Sequence, residues 1–147
     1  MMMFGQALLA ALLGVVIGTE RSIVAQQRAG MRTFALVSLG SCLFVVMAQV
    51  VDTQYLGIVN FDPVRMAAAV VQGIGFIGAG LIFTRADSVH GITTAAGLWV
   101  AASIGMLVGF RMFALAIFAS ALTLGIFFLL WYVEQMIKRW HDSGLPK

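Results

Sequence analysis

Residues 62–80 read DPVRMAAAVVQGIGFIGAG. An acid, a proline and a base stand at the mouth of a long apolar run. Four glycines, Gly73, Gly75, Gly78 and Gly80, fall within its last eight residues. Glycine buries almost no side-chain area and costs a helix roughly 0.8–1.0 kcal/mol relative to Ala, so this run is a poor way to build a water-soluble core. In a bilayer it has two uses. Small residues let helices approach closely, and a helix broken at glycine can turn its carbonyls toward a polar path. Pro63 fits the first turn of a helix and Asp62 the N-cap before it. Arg65, three residues on, lies within reach of Asp62. The stretch reads as a membrane helix capped by Asp62 and steadied by Arg65; alternatively, Asp62 is the acid that first meets a cation.

The rest of the chain agrees. Of 147 residues, 61% are hydrophobic and only 10% charged, and the mean hydropathy is +1.00. A soluble domain carries about 25% charged residues. Spans are expected at roughly 2–19, 34–51, 66–83, 92–110 and 112–133, each near the ~17–20 apolar residues that cross a bilayer. Spans four and five are separated only by Arg111, which requires a tight hairpin. The first span lacks a basic n-region and a clear cleavage site, so it reads as retained. The expected organisation is a transmembrane domain over 1–133 and a short cytoplasmic tail over 134–147. The fold class is an all-α polytopic bundle of about five spans, or four plus a re-entrant piece.

The net charge of +3 and pI near 9.6 do not imply nucleic-acid binding, because the basic residues sit at the ends of the apolar runs. One side holds Arg21, Arg28, Arg32, Arg85, Lys138, Arg139 and Lys147, and the other holds Arg65 and Arg111. The positive-inside rule then puts the N-terminus outside and the C-terminus in the cytoplasm. Cys42 is the only cysteine, which excludes an intrachain disulfide and a cysteine-based metal site.

Several polar residues break the apolar pattern. Glu20 and Arg21 end span one. Neighbours on a helix point about 100° apart, so each is expected to need its own partner or water. Glu20 reads as a solvated boundary residue, or else as a cation contact or an ion pair with Arg28, Arg32 or Arg85. Gly14 and Gly18, like Gly105 and Gly109, form small faces suited to helix packing, and Ser38 and Ser41 share a face. Gln72 is a polar side chain in the middle of span three. The G-x-G-x-x-G at Gly73, Gly75 and Gly78 is not a dinucleotide site, because no strand-to-helix turn or following acid accompanies it. Close packing of an unbroken span three on two neighbours is favoured over a break. Asp87 and His90 lie in the second connecting loop and are too few for a closed metal site. Thr93 and Thr94 can cap span four or donate to a neighbour. Trp99 lies too deep for an interfacial belt and suits an internal interface.

Taken together, Glu20-Arg21, AGMRT (29–33), LVSLGSCLF (36–44), DPVRMAAAVVQGIGFIGAG (62–80) and VHGITTAAGLWVAASIG (89–105) resemble the MgtC/SapB family of bacterial inner-membrane proteins over roughly residues 14 to 110. The resemblance implies a multi-pass protein linked to growth at low magnesium and, in pathogens, to survival inside host cells. Members are often called magnesium transporters, and some act instead on other membrane proteins, including ATP synthase. The family's sensitive positions carry over to Glu20, Arg21, Asp62, Arg65, Gly73, Gly75, Gly78, Gly80, Thr93, Thr94 and Trp99. Many members add a cytoplasmic domain of the small-molecule-sensing ACT type. This sequence stops at Lys147, so regulation through that domain is expected to be absent or supplied by another chain. Gln72 stands where a smaller residue is expected, suited to a hydrogen bond inside the bundle.

Three function classes compete. A magnesium-related regulator of other membrane proteins is favoured. A transporter or channel for Mg²⁺ or another cation is the alternative, using Glu20, Asp62 and Gln72. Against it, no acid falls well inside a span, whereas Mg²⁺ needs carboxylates or an oxygen-rich path. An enzyme is not expected, because no nucleophile–base pair, metal set or phosphate cradle is visible. No cofactor is expected beyond possible Mg²⁺. The expected partners are membrane lipid, further copies of the chain and another membrane protein such as an ATP synthase subunit.

Overall fold

The computed structural model describes residues 2–24, 29–55, 62–85 and 88–143. It contains α1 (Met2–Ile23), α2 (Met31–Gln54), α3 (Pro63–Leu81), β1 (Phe83–Arg85), β2 (Ser88–His90), α4 (Ile92–Gly109) and α5 (Phe113–Ser143). All five helices are long and apolar enough to cross a membrane. The protein is a multi-pass, all-helical membrane bundle.

The helix ends follow local chemistry. Asp62 caps α3 as expected, its Oδ1 accepting from the amides of Val64 at 2.9 Å and Arg65 at 3.1 Å, with Pro63 in the first turn. The turn between α4 and α5 is the expected tight hairpin. Arg111 adopts a left-handed φ of 63°. Its amide donates to the Val108 carbonyl at 3.0 Å, and the Met112 amide donates to Leu107 at 2.8 Å. These two bonds form a Schellman motif, which closes a helix in two residues and usually uses glycine at the left-handed position. The second connecting loop holds a short antiparallel hairpin pairing Phe83 with His90, Thr84 with Val89 and Arg85 with Ser88. No sequence pattern announced these strands of three residues each. α5 continues unbroken past Val133 to Ser143.

The core lies among α1, α2 and α4, with α5 along one flank. Ile17, Phe34, Leu98, Ile104 and Val108 are fully buried in it. α4 is the central helix, touching every other one. Glycine contacts set the helix directions. A Cβ on Gly14 would meet the Phe34 carbonyl oxygen at 2.6 Å, and one on Gly18 would meet Met31 Cα at 2.7 Å, so α1 and α2 run antiparallel. Gly105 sits against the Ser38 backbone and Gly109 against Val45, so α2 and α4 run parallel. The Gln6 side-chain amide ties α1 to the far end of α4, donating to the Val108 carbonyl at 3.0 Å and the Gly109 carbonyl at 2.9 Å. Ser38 and Ser41 are buried, as their shared face suggested, and α5 is largely exposed along its length.

α3 differs from the expectation. It is one continuous helix, so the broken form is excluded. It also does not pack on two neighbours. It packs on α4 and makes at most marginal contact with the others, and only Ile74 and Gly78 are buried along it. Gly78 lies against Ala95, 3.7 Å from where a Cβ would stand. Nothing lies within 4 Å of that position at Gly73, Gly75 or Gly80.

Candidate functional site

The candidate residues separate into three places. Glu20, Arg21, Thr93 and Thr94 gather at the end of the bundle that carries the β-hairpin. Asp62 and Arg65 stand at the opposite end, and Gln72 and the glycines line α3.

At the hairpin end, the last turn of α1 carries Glu20 and Arg21 into the interior. Glu20 is only 2% exposed and Arg21 only 6%, so Glu20 is not a solvated boundary residue. The two adjacent side chains do pair, against the expectation from their 100° offset: Arg21 Nε donates to Glu20 Oε2. Both side chains are long enough to fold toward one another, and burial leaves the carboxylate no water to prefer. Arg32, one of the expected partners, is exposed on α2 instead; Arg28 and the Arg85 side chain lie outside the described residues. The Arg21 guanidinium carbon also sits 4.1 Å from the centre of the Phe127 ring on α5, a cation–π contact. Among the described residues, Glu20 Oε1 is buried without a hydrogen-bond partner. A buried pair of this kind adds little net stability, because desolvation offsets the attraction, but losing one partner strands a charge.

Arg21 forms part of the wall of a cavity of about 910 Å³. The other walls come from His90 at the end of β2 and Gly91 after it, Thr93 and Thr94 in the first turn of α4, and Phe127, Trp131 and Glu134 of α5. Gly91, not a threonine, occupies the N-cap of α4, and no side chain caps the helix. Gly91 is required there twice over: its φ is +90°, and a Cβ would collide with the Leu81 carbonyl. Thr93 and Thr94 therefore do not cap the helix, and neither makes a side-chain hydrogen bond among the described residues. Thr94 is 4% exposed. His90 stacks on Phe83 and hydrogen-bonds Ser88 at 2.7 Å, which explains a lone loop histidine without a ligand. Asp87 lies outside the described residues. Among the described residues, no three His, Cys, Asp or Glu side chains cluster as a metal site would need.

At the far end, Arg65 Nε lies 3.9 Å from Asp62 Oδ2, with both side chains largely exposed. Such a pair contributes about 0–1 kcal/mol. Asp62 acts structurally through its cap. Along α3, Gln72 is exposed and makes no hydrogen bond among the described residues, so it does not bond inside the bundle. Trp99 is 50% exposed on α4 and does not plug an internal interface of this chain. It lies one turn beyond Ala95, on the strip of α4 that meets α3.

Comparison with known proteins gives the family. The MgtC family model matches residues 7–136. The chain belongs to the MgtC family. It is 44% identical over 119 residues to the Escherichia coli K12 protein named "Putative magnesium transporter YhiD", covering 80% of this chain and 55% of that one. It is 38% identical over 129 residues to Protein MgtC of Brucella abortus, covering 88% and 51%. To Protein MgtC of Salmonella typhimurium it is 39% identical over 132 residues, covering 90% and 54%. The chain spans about half the length of these curated relatives. No solved structure gives a significant match.

The structure brings out two contact residues that sequence reading passed over, Gln6 and Phe127. Gln6 had a visible signal, an amide inside an apolar span. Phe127 had none, being one of eleven phenylalanines.

Proposed function

We propose that this MgtC-family chain is a magnesium-related regulator in the bacterial inner membrane, with its hairpin end in the cytoplasm, and that it acts by docking another membrane protein along α3. The observation that carries this reading is the unsatisfied face of that helix. Gln72 stands mid-helix with no hydrogen-bond partner among the described residues, beside glycines whose Cβ positions none of them approaches within 4 Å. In a bilayer an unpaired side-chain amide is costly, while small residues and a glutamine are what a neighbouring helix uses to pack and hydrogen-bond. An ATP synthase subunit, suggested by the family resemblance, is one candidate partner, and another copy of the chain is a second. The proposal is non-enzymatic and needs no resident cofactor.

The test is a photo-crosslinking residue placed at Gly75 in cells grown at low magnesium, with mass spectrometry of the adducts. A discrete adduct with another membrane protein, lost together with low-magnesium growth in Gly75→Leu, is the expected result. Lipid adducts alone, with normal growth of Gly75→Leu, would overturn it.

One observation favours the cation-transport alternative. The free Oε1 of Glu20 is an oxygen that a cation could satisfy. The relative named for magnesium transport gives that reading its ion. Glu20 is buried and paired with Arg21, which is itself stacked on Phe127, so a conducting path requires the pair to open. Mg²⁺ uptake into liposomes holding only this protein, abolished by Glu20→Gln, would establish transport; no uptake with folded, inserted protein leaves the regulator.

A further inference from the structure

We propose that the cavity at the hairpin end binds a phosphate group, most simply the phosphodiester of a lipid headgroup. Three independent features converge there. The first is the open start of α4. This helix has 18 residues, and Gly91 gives it no side-chain cap, so its first-turn amides and the positive end of its dipole are left for a ligand. The second is Thr94. The residue is only 4% exposed, its hydroxyl makes no hydrogen bond among the described residues, and it lines this cavity. A buried hydroxyl normally finds a partner, and here the cavity is where one would sit. The third is Arg21. Its bond to Glu20 uses only Nε, which leaves the outer guanidinium nitrogens for an oxyanion.

The walls specify the kind of phosphate. Glu134 lines the same space, and Glu20 already offsets Arg21. A multiply charged anion is therefore disfavoured, and a monoanionic diester fits better. Val100, Ile126 and Leu130 continue the cavity as an apolar wall within helices that span the membrane, as an acyl chain needs. Glu134 at the rim suits an ammonium-bearing headgroup. This site does not depend on the α3 reading, and its test does not involve α3.

The test uses the full chain, delipidated in detergent. Native mass spectrometry follows binding of phosphatidylethanolamine and phosphatidylglycerol, and thermal unfolding follows binding of inorganic phosphate. The variants are Thr94→Val, which keeps the shape, and Thr93→Ala, an exposed position that does not endanger the fold. Arg32→Gln, at the separate groove between α2 and α3, is the control. Expected is saturable lipid binding that Thr94→Val weakens about tenfold, the loss of one hydrogen bond to a charged group, with Arg32→Gln unchanged. Binding of inorganic phosphate with the same Thr94 dependence would support the site with a free anion as its source. A wild-type protein that binds none of the three probes would overturn the proposal. So would lipid or phosphate binding that Thr94→Val and Thr93→Ala leave within twofold of wild type.

Discussion

In α1 and α4, Gly14, Gly18 and Gly105 mark where the α2 backbone comes closest. In α3, three of the four glycines have no described atom within 4 Å of where a Cβ would stand. The residue is the same and the sequence patterns look alike, yet one set holds the monomer together and the other leaves it unfinished. The difference lies in the neighbours. Gly14, Gly18, Gly105 and Gly109 each face an interior helix, whereas α3 leans on α4 alone. Glycine spacing therefore identifies a face able to receive a helix, and only the packed structure tells whether that helix belongs to the same chain.

The largest effect that would sharpen this contrast is at Gly105. A Cβ there collides with the Ser38 backbone, which cannot swing aside as a side-chain tip can. Gly105→Ala is expected to cost about 3 kcal/mol or more, the upper end of overpacking. Gly75→Ala meets open space and is expected to be neutral, or to stabilise the helix by up to about 1 kcal/mol. Thermal unfolding of both variants in detergent measures the gap. Equal losses at the two positions would dissolve the distinction between closed and open glycines.

Next in size is the Glu20–Arg21 pair. Glu20→Ala is expected to cost about 3 kcal/mol, because it strands a buried guanidinium. The double variant Glu20→Leu, Arg21→Leu should recover part of that loss. If each single variant unfolds like wild type, the pair is not buried in solution and the hairpin end is more open than drawn here. Gln6→Leu comes third, at about 1 kcal/mol, in line with side-chain hydrogen bonds between membrane helices. A null effect there would mean that α1 is held to α4 by packing alone.

Arg111→Gly probes the one turn the sequence located but did not explain. A non-glycine residue in the left-handed region costs roughly 1–2 kcal/mol, so the substitution should raise stability by about 1 kcal/mol. A loss instead would show that the Arg111 side chain contributes at the membrane surface.

Much of this was legible beforehand. Five spans, the Asp62 cap, the Arg111 hairpin and the packing roles of Gly14, Gly18, Gly105 and Gly109 follow from local rules that act within a turn or two. What escaped were relations between distant residues. Glu20 looked like a boundary residue because its partner, Arg21, is turned inward against Phe127, more than a hundred positions away. Trp99 looked internal because its depth along the helix is readable and its direction is not. The strand pairing of 83–85 with 88–90 is too short for any periodicity to show.

The smallest effect on the isolated chain is expected at Gln72, and it is the most telling. Its amide makes no bond in the monomer and leucine suits lipid at least as well, so Gln72→Leu should leave unfolding in detergent unchanged or slightly improved. In the cell the same substitution removes the one uncharged polar side chain that a docking helix could bond along α3. Low-magnesium growth and the Gly75 crosslink should then fall together while membrane abundance holds. A Gln72→Leu protein that unfolds early in detergent would mean that its amide is satisfied within the chain, and that α3 is packed more like α1 than its open glycines indicate. A variant stable in detergent and fully active in cells would mean that α3 faces only lipid, which would remove the docking face and leave its glycines without a structural role.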